Sequence, residues 1–421
     1  MHVDVSLCGF MKQYLLSALV ALLPFFNARA QLDFSDSLRV SLLTCSAGPD
    51  AYERFGHSGI RILDLKDPTR DITFHYGVFS FNAPNFVYRF VKGETDYQLG
   101  AQYTSDFVAG YRHRGLGMTE QWLHLDSAQC QDIVKRLLIN YRPENRTYRY
   151  SFFFDNCATR PYHLVNASTG NTIQYDSTWV KALTLREMVQ EKSGTDNWLD
   201  FGIALAVALR ADRPASYEEQ MFLPEYLSGA FEHAAVPMTG IDDWTMPLVC
   251  ESDTLLTMRS DVAEAIAAPD PIRPVSVFAF VLMLAMVVSA LEWRARHQPD
   301  GVRWIENTAN SFDTVYLLFI GLTGVVVWFL NFCSLHPAVD HNLNCLWLLP
   351  THVIMAVMVW MRSLRRINSI YFGIVFALVI LYVVLDWCYG QYCPAPFLLL
   401  LATLLLRSYM RCTQPKTNQQ H

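Results

Sequence analysis

Residues 152–161 read FFFDNCATRP, and the interpretation of the whole chain depends on the cysteine at position 157. Asp155 and Asn156 are residue types that cap helix N-termini, and Pro161 is tolerated in a first helical turn. The stretch therefore predicts an aromatic strand followed by a helix that begins near Asn156. The positive end of that helix would lower the pKa of the Cys157 thiol and favour a nucleophile. A buried core cysteine is the alternative, because free cysteine is among the most buried residue types.

A thiol nucleophile needs a base, and the segment FGHSGIRI offers His57 at the start of an apolar strand. The glycines around it allow the backbone to bring the imidazole close to another element. His75, in FHYGVF on the next predicted strand, is a candidate to orient His57. The alternatives are a hydrogen-bonded structural histidine at 57 and a cross-strand contact without a function at 75. Ser58 and Ser151 lack a G-x-S-x-G context, which disfavours a serine hydrolase.

The first thirty residues have the pattern of an export signal. Residues 1–30 contain Lys12, then an apolar core too short to span a bilayer comfortably, then Ala28 and Ala30 at a predicted cleavage site. An uncleaved N-terminal anchor is the alternative. Export makes disulfides permissible among the ten cysteines, and the spacing of those in the exported part matches no zinc-ligand pattern, so no metal or other cofactor is expected. The net charge of −6, without a basic stripe, argues against nucleic-acid binding.

Residues 31–270 have the composition of a water-soluble α+β domain. Three segments rich in β-branched and aromatic residues predict strands: LRVSLLTCS, HSGIRILDL and DITFHYGVFSF. The segment DSAQCQDIVKRLLINYR has apolar residues at helical spacing, with Asp126 or Ser127 as the expected N-cap. The proline-rich stretch AAPDPIRP at 267–274 predicts a linker.

The remainder of the chain predicts an all-α transmembrane domain at 271–410 and a cytoplasmic tail at 411–421. Five apolar stretches follow the linker. Several approach the roughly 20 residues that span a bilayer, whereas the last is short and contains Pro394 and Pro396. The five stretches are 275–291, 312–332, 345–361, 369–388 and 394–406. We therefore expect about five transmembrane helices.

Loop charges predict the orientation of these helices. Arginines and lysines gather in alternate loops and the tail: Arg294, Arg296, Arg303, Arg362, Arg365, Arg366, Arg407, Arg411 and Lys416. The intervening loops, NFCSLHPAVDHNLN and CYGQYCPAP, contain neither residue type. Positively charged loops stay in the cytoplasm, which places residues 31–270 on the outer side.

The outer loop SLHPAVDHNLNCLW lies on the same side as the thiol domain. Its residues are candidates to hold a lipid headgroup or to line its route: His336, Asn342, Asn344 and Trp347. An ordinary solvated loop with an interfacial tryptophan is the alternative. Disulfides between Cys333 and Cys345, and between Cys388 and Cys393, remain open.

Several segments together resemble a known family. The order of a strand histidine followed by a cysteine at a later helix start is similar to the permuted papain-like (NlpC-type) thiol fold of the lecithin:retinol acyltransferase group. The segments GHSGIRI, FHYGVFSF, PENRTYRYSFFFDNCATR and MFLPEYL resemble the Lnb-type lipoprotein N-acyltransferases of Gram-negative envelopes. Those proteins also join an exported thiol domain to C-terminal membrane helices. The resemblance covers nearly the whole chain after the signal segment.

The resemblance implies an acyltransferase of the inner (cytoplasmic) membrane, multi-pass, with its catalytic domain in the periplasm. Cys157 would take a fatty acyl chain from a phospholipid as a thioester, with His57 as the base. The acceptor would be the α-amino group of the lipidated N-terminal cysteine of a diacylated lipoprotein. Supporting or orienting roles would fall on His75, Asp155, Asn156 and Arg160.

Other functions use the same pair of residues. A membrane-anchored cysteine peptidase or amidase of the cell envelope is one alternative, and a phospholipase that passes the thioester to water is another. A lipid-binding or envelope-binding module without catalytic activity is the alternative from a different class.

Overall fold

The computed structural model describes residues 34–80, 82, 84–179, 181–237, 244–296 and 303–413. The predicted signal peptide at 1–30 lies outside the described residues. From Asp36 onward the chain forms one compact unit, in which a sheet-containing N-terminal part is followed by a helical C-terminal part.

Ten strands occur among the described residues. They are β1 Leu38–Cys45, β2 His57–Asp64, β3 Asp71–Val78, β4 Asp96–Tyr103, β5 Met118–Leu123, β6 Thr147–Arg149, β7 Gln174–Tyr175, β8 Ala234–Pro237, β9 Thr245–Pro247 and β10 Val249–Leu256. Seven of them form an antiparallel sheet in the order β10-β5-β1-β2-β3-β4-β6, and β7-β8-β9 form a small second sheet.

Nine α-helices precede the apolar region and five lie within it, counted over the same described residues. The first nine are α1 Phe86–Lys92, α2 Thr104–Arg114, α3 Ser127–Tyr141, α4 Thr159–Ser168, α5 Leu185–Ser193, α6 Trp198–Ala206, α7 Tyr217–Gln220, α8 Pro224–Glu232 and α9 Ser260–Ala267. The last five are α10 Pro274–Arg296, α11 Arg303–Cys333, α12 His352–Met358, α13 Arg365–Tyr389 and α14 Ala395–Cys412.

The three predicted strands at the centre of the sheet are present as β1, β2 and β3. Their apolar side chains, among them Leu42, Ile60 and Phe74, are buried because helices cover the sheet. The predicted amphipathic helix is α3, which packs on β1 and β4. Asp126 caps it in a capping box with Gln129, as its sequence predicts.

The aromatic run 152–154 is not a strand, contrary to the prediction. It forms a turn that is closed by a bridge between Ser151 and Asp155. The rings of Phe152 and Phe153 pack against Phe222, with centroids 5.6 and 5.2 Å away. This side-chain packing stabilises the turn, which belongs to neither sheet of the described residues. The next helix, α4, begins at Thr159, three residues later than expected.

Four of the described helices are long and apolar enough to cross a membrane: α10, α11, α13 and α14. The fifth predicted stretch, 345–361, is not one long helix. It contains a 3₁₀ turn at Leu343–Leu346 and then the short helix α12. Pro350 separates the two because it lacks the N–H that a continuous helix needs. Of the five predicted spans, four are therefore long continuous helices in the described residues, and the fifth is interrupted.

The interrupted segment nevertheless runs from one end of α11 to the other. At one end Asn342 N–H donates to Asn331 Oδ1 over 2.9 Å. At the other end Arg362 donates to Glu306 in the first turn of α11, over 2.7 Å. Irregular backbone at membrane depth is tolerated where protein surrounds it, and Trp347 of this segment is fully buried.

Candidate catalytic site

The start of a strand and a loop before a helix bring His57 and Cys157 close together. His57 is the first residue of β2 and pairs with Cys45, the last residue of β1. Cys157 lies between the aromatic turn and α4. Both face Gly77 of β3, where an added Cβ would lie 3.7 Å from His57 Cε1 and 3.8 Å from Cys157 Cβ. Gly77 has φ +96°, a conformation that favours glycine, so the backbone at this point leaves room for both side chains.

Asn156 fixes the position of the cysteine. Its side-chain oxygen accepts from the N–H groups of Ala158 and Thr159, at 2.8 and 3.0 Å. Its side-chain nitrogen donates to the carbonyls of Phe152 and Phe222, at 2.7 and 2.8 Å. The side chain therefore caps the start of α4 and joins it to the aromatic turn and to the α7–α8 connection. Asp155 and Asn156 were both expected as capping residues. Only Asn156 makes these hydrogen bonds, and it does so from two residues before Ala158, which occupies the N-cap position itself.

Asp155 and Arg160 form a clamp behind the site. The guanidinium donates to both carboxylate oxygens, at 2.5 and 2.8 Å, and lies 3.5 Å from the ring centroid of Tyr148. Neither side chain lines the cavity that contains Cys157. Their contacts are those of residues that hold the 151–160 loop in shape.

His75 contacts His57 directly. His57 Nε2 and His75 Nδ1 are 3.1 Å apart, and the two rings meet edge to face. This contact is the one that an orienting role for His75 requires, and that role stays a prediction. With Nε2 engaged, Nδ1 is the ring nitrogen of His57 that remains for the thiol.

Burial dominates the electrostatics of the pair. It raises the pKa of the Cys157 thiol to about 11, while the N–H groups of Ser58 and of Cys157 itself, directed at the sulfur, oppose the rise. Burial likewise lowers the pKa of His57 to about 3, with smaller effects from His75 and Arg114, and that of His75 to about 4. The prediction of a lowered thiol pKa is therefore wrong, because desolvation outweighs the helix end. The resting pair is neutral.

A cavity of about 520 Å³ surrounds the pair. One part of its wall is polar and includes Glu53 and Arg114, which form an ion pair, together with Tyr111. The rest is mainly aromatic and consists of Phe55, Phe79, Phe86, Phe90, Tyr97, Tyr150, Phe152 and Phe222. Such a wall suits a long apolar group that has a polar end.

Sequence reasoning missed most of these wall residues. The segment 79–90, FSFNAPNFVYRF, contains five aromatic residues in twelve. This high aromatic content is the feature of the sequence that could have indicated an apolar wall. Arg114 had no local signal, because its position beside the cavity follows from the packing of α2 against the strands.

The predicted residues of the outer loop after α11 lie in two different environments. His336 lines the cavity, and its Nε2 donates to the Phe90 carbonyl over 2.8 Å. The other three predicted loop residues are buried: Asn342, Asn344 and Trp347. Asn342 and Asn344 donate to carbonyls of α6, at 2.8 and 3.2 Å, and neither lines the cavity. Their role in holding a lipid headgroup or lining its route stays a prediction. The cysteines proposed for outer disulfides are all free in the described structure.

Comparisons with known proteins agree with this architecture. Residues 27–191 match the family described as the Lnb N-terminal periplasmic domain, and residues 266–419 match the Lnb transmembrane domain. No curated protein and no solved structure matches the chain. The two family matches lie in the order and in the parts of the chain where the sheet domain and the apolar helices are found. The chain therefore belongs to the Lnb family and is a lipoprotein-processing membrane protein with a periplasmic N-terminal domain and a C-terminal transmembrane domain.

Proposed function

We propose that the protein is a lipoprotein N-acyltransferase of the inner membrane. It moves a fatty acyl chain from a phospholipid to the α-amino group of the lipidated N-terminal cysteine of a diacylated lipoprotein, through a thioester on Cys157. One observation carries the proposal. Cys157, His57 and His336 line one largely aromatic cavity, and His336 belongs to the loop at the end of a membrane helix. A nucleophile in such a position can meet substrates that reside in the bilayer.

The first half-reaction forms the thioester. His57 Nδ1 takes the proton of the Cys157 thiol as the sulfur attacks the carbonyl carbon of the acyl ester. The N–H groups of Ser58 and Cys157, already directed at the sulfur, lie where they can stabilise the negative oxygen that develops. The bond from the carbonyl carbon to the glycerol oxygen then breaks. That oxygen takes the proton from His57, and a lysophospholipid leaves.

The second half-reaction transfers the chain to the acceptor. The α-amino nitrogen attacks the thioester carbon and gives a proton to His57. The carbon–sulfur bond breaks, and the sulfur takes the proton back from His57 as the amide forms. His75 keeps the His57 ring oriented in both steps by accepting the Nε2 proton at its Nδ1.

The test uses the full-length chain in lipid nanodiscs that contain a phospholipid with an isotopically labelled acyl chain. We expect a labelled, hydroxylamine-sensitive adduct on Cys157 by mass spectrometry, and transfer of the label to a diacylated lipopeptide when it is added. Cys157→Ala abolishes the adduct, and His57→Ala slows its formation by about 10²–10⁴-fold. Cys250→Ala, at an exposed cysteine on β10, is the matched control and keeps the wild-type rate.

Three outcomes would contradict the proposal. An adduct that decays equally fast without and with the lipopeptide, releasing fatty acid only, identifies a phospholipase. Cleavage of cell-wall peptides without any lipid-derived adduct identifies a peptidase or amidase. Unchanged lipoprotein N-termini in cells that express only Cys157→Ala point to a binding module.

A further inference from the structure

Helix α1 presents two different faces. It has no buried residue, and the side chains of Val87 and Tyr88 are 73% and 55% exposed. Phe86 and Phe90, on its other side, line the cavity that contains Cys157. A short helix that offers apolar groups both outward and to a cavity is unusual on a water-exposed surface.

The C-terminal end of α1 is attached to the membrane part of the chain. Three of its carbonyls accept hydrogen bonds from the loop after α11. Leu335 N–H donates to Lys92 over 2.8 Å, Ser334 Oγ donates to Val91 over 2.9 Å, and His336 donates to Phe90 as described above. Gly93, at φ +74°, permits this approach, because an added Cβ would lie 2.9 Å from the His336 nitrogen.

The attachment lies at the periplasmic end of α11, a helix long and apolar enough to cross the membrane. Helix α11 has 31 residues and is about 46 Å long, more than the roughly 30 Å of a hydrocarbon core. Its outer end carries Phe332 and, just beyond, Leu335, which are 67% and 63% exposed. Tyr88 of α1 packs on Phe329 of α11, with centroids 6.1 Å apart. The outward face of α1 therefore continues the lipid-facing surface of α11.

A chain of aromatic contacts connects this surface to the thiol. Tyr150 lines the same cavity as Cys157. From Tyr150 the successive centroid distances are 4.2 Å to Tyr97, 4.9 Å to Phe79, 5.7 Å to Phe86, 6.1 Å to Phe90 and 6.0 Å to His336. Contiguous rings of this kind form a wall along which a methylene chain can lie without meeting water.

We propose that α1 is the access helix for the donor lipid. One acyl chain of a membrane phospholipid leaves the outer-side leaflet beside Val87 and Tyr88. It follows the aromatic wall that α1 and the loop after α11 hold in place, along Phe90, Phe86 and Phe79, with its ester group at Cys157. The inference rests on the proposed function for the fate of the chain, whereas binding of the chain is testable without any reaction.

The experiment uses full-length Cys157→Ala in nanodiscs of phosphatidylethanolamine that carries a diazirine near the end of one acyl chain. After irradiation and digestion, we expect crosslinks in residues 79–97, centred on Phe86 and Phe90. Phe86→Ala and Gly93→Ala each reduce crosslinking at 79–97 at least fivefold. The first removes part of the wall, and the second separates α1 from the loop. Tyr103→Ala, at an exposed aromatic residue of β4 outside the cavity, is the matched control and leaves crosslinking unchanged.

A second measurement guards against a general folding defect. With Cys157 present, we compare acylation from the phospholipid with acylation from a water-soluble butyryl ester. The ratio of the two rates falls at least fivefold in Phe86→Ala and stays at the wild-type value in Tyr103→Ala. An unchanged ratio in Phe86→Ala means that α1 supports the site without guiding lipid, and overturns the inference.

Two further results would also overturn it. One is crosslinking confined to the lipid-facing sides of α10, α11 and α13. The other is crosslinking at 79–97 from a diazirine-labelled diacyl lipopeptide but not from the phospholipid, which would assign the path to the acceptor. The crosslinking variant lacks the thiol, so crosslinking measures lipid binding without any reaction. If the wild type forms no thioester, the proposed function is refuted, but the crosslinking result still stands.

Discussion

Cys157 and His57 form a neutral pair at rest, in contrast to the thiolate–imidazolium pair that a helix N-terminus and a nearby histidine would favour. The thiol has a pKa of about 11 and the imidazole a pKa of about 3, both because burial disfavours the charged form. Nucleophilicity then appears only as the proton moves to His57 during attack. A neutral thiol in an aromatic cavity is also compatible with an apolar acyl chain beside it.

This state predicts slow alkylation of Cys157 at neutral pH. The thiol is protonated below its pKa, so the rate with iodoacetamide should rise about tenfold per pH unit from pH 7 and level off only near pH 11. Peptide-resolved mass spectrometry of the full chain measures the rate, and the exposed Cys250 in the same sample reports on the reagent. A rate that is already maximal at pH 7 would contradict the neutral pair.

The 151–160 loop is the element that presents the nucleophile, and Asn156 contributes most of its hydrogen bonds. The asparagine is 2% exposed and makes contacts to three parts of the chain. Asp155, its neighbour, has a side chain that is 38% exposed and forms an ion pair with Arg160. Asn156 therefore contributes more to the stability of the loop than Asp155, because its side chain is buried.

Asn156→Ala should destabilise the fold far more than Asp155→Ala. The first removes a helix cap worth about 1 kcal/mol and leaves the Phe222 carbonyl without its donor, for a total of about 2–4 kcal/mol. The second removes a partly exposed ion pair worth about 1 kcal/mol or less. Thermal unfolding of the purified full-length variants in detergent measures the difference. Equal midpoints would show that the asparagine does not hold the loop.

At the scale of the whole molecule, buried ion pairs join three helices at the arginine-rich end of the helical part. Arg407 of α14 is buried and donates to Asp313 of α11 and to Glu292 of α10, at 2.6 and 3.0 Å. These three helices therefore converge at the end where Arg362 meets Glu306. Buried ionic groups are retained in membrane segments where each has a partner, and this end carries the arginine-rich loops.

The segment 343–361 should cross the membrane even though its helix is interrupted. Cysteines placed at His341 and Ser363, both exposed, test the crossing with a membrane-impermeant maleimide. We expect His341→Cys to react in intact spheroplasts and Ser363→Cys to react only after permeabilisation. The native Cys388, exposed at the outer end of α13, is the positive control. Reaction of both introduced cysteines in intact spheroplasts would make the segment re-entrant.

Local patterns in the sequence were sufficient for several elements and for selecting the two residues of the candidate site. Alternating apolar residues predicted β1 to β3, and helical spacing with Asp126 predicted α3, because both signals depend on neighbours a few residues apart. Loop arginines predicted the orientation of the helical part. The segments around His57 and Cys157 carried the family resemblance, so the pair was predicted without knowledge of its geometry.

Tertiary structure decided what depends on residues far apart in the chain. The neutral state of Cys157 follows from desolvation by a whole domain, which no local motif reports. The contact of His57 with His75 and the docking of α1 on the loop after α11 depend on strand register and on helix packing. The burial of Asn344 and Trp347 could not be read from their place in a polar loop, because it depends on packing against the helical part. Short-range patterns therefore specified the elements and the candidate nucleophile and base, whereas long-range packing set their charge, their partners and the route by which a lipid can reach them.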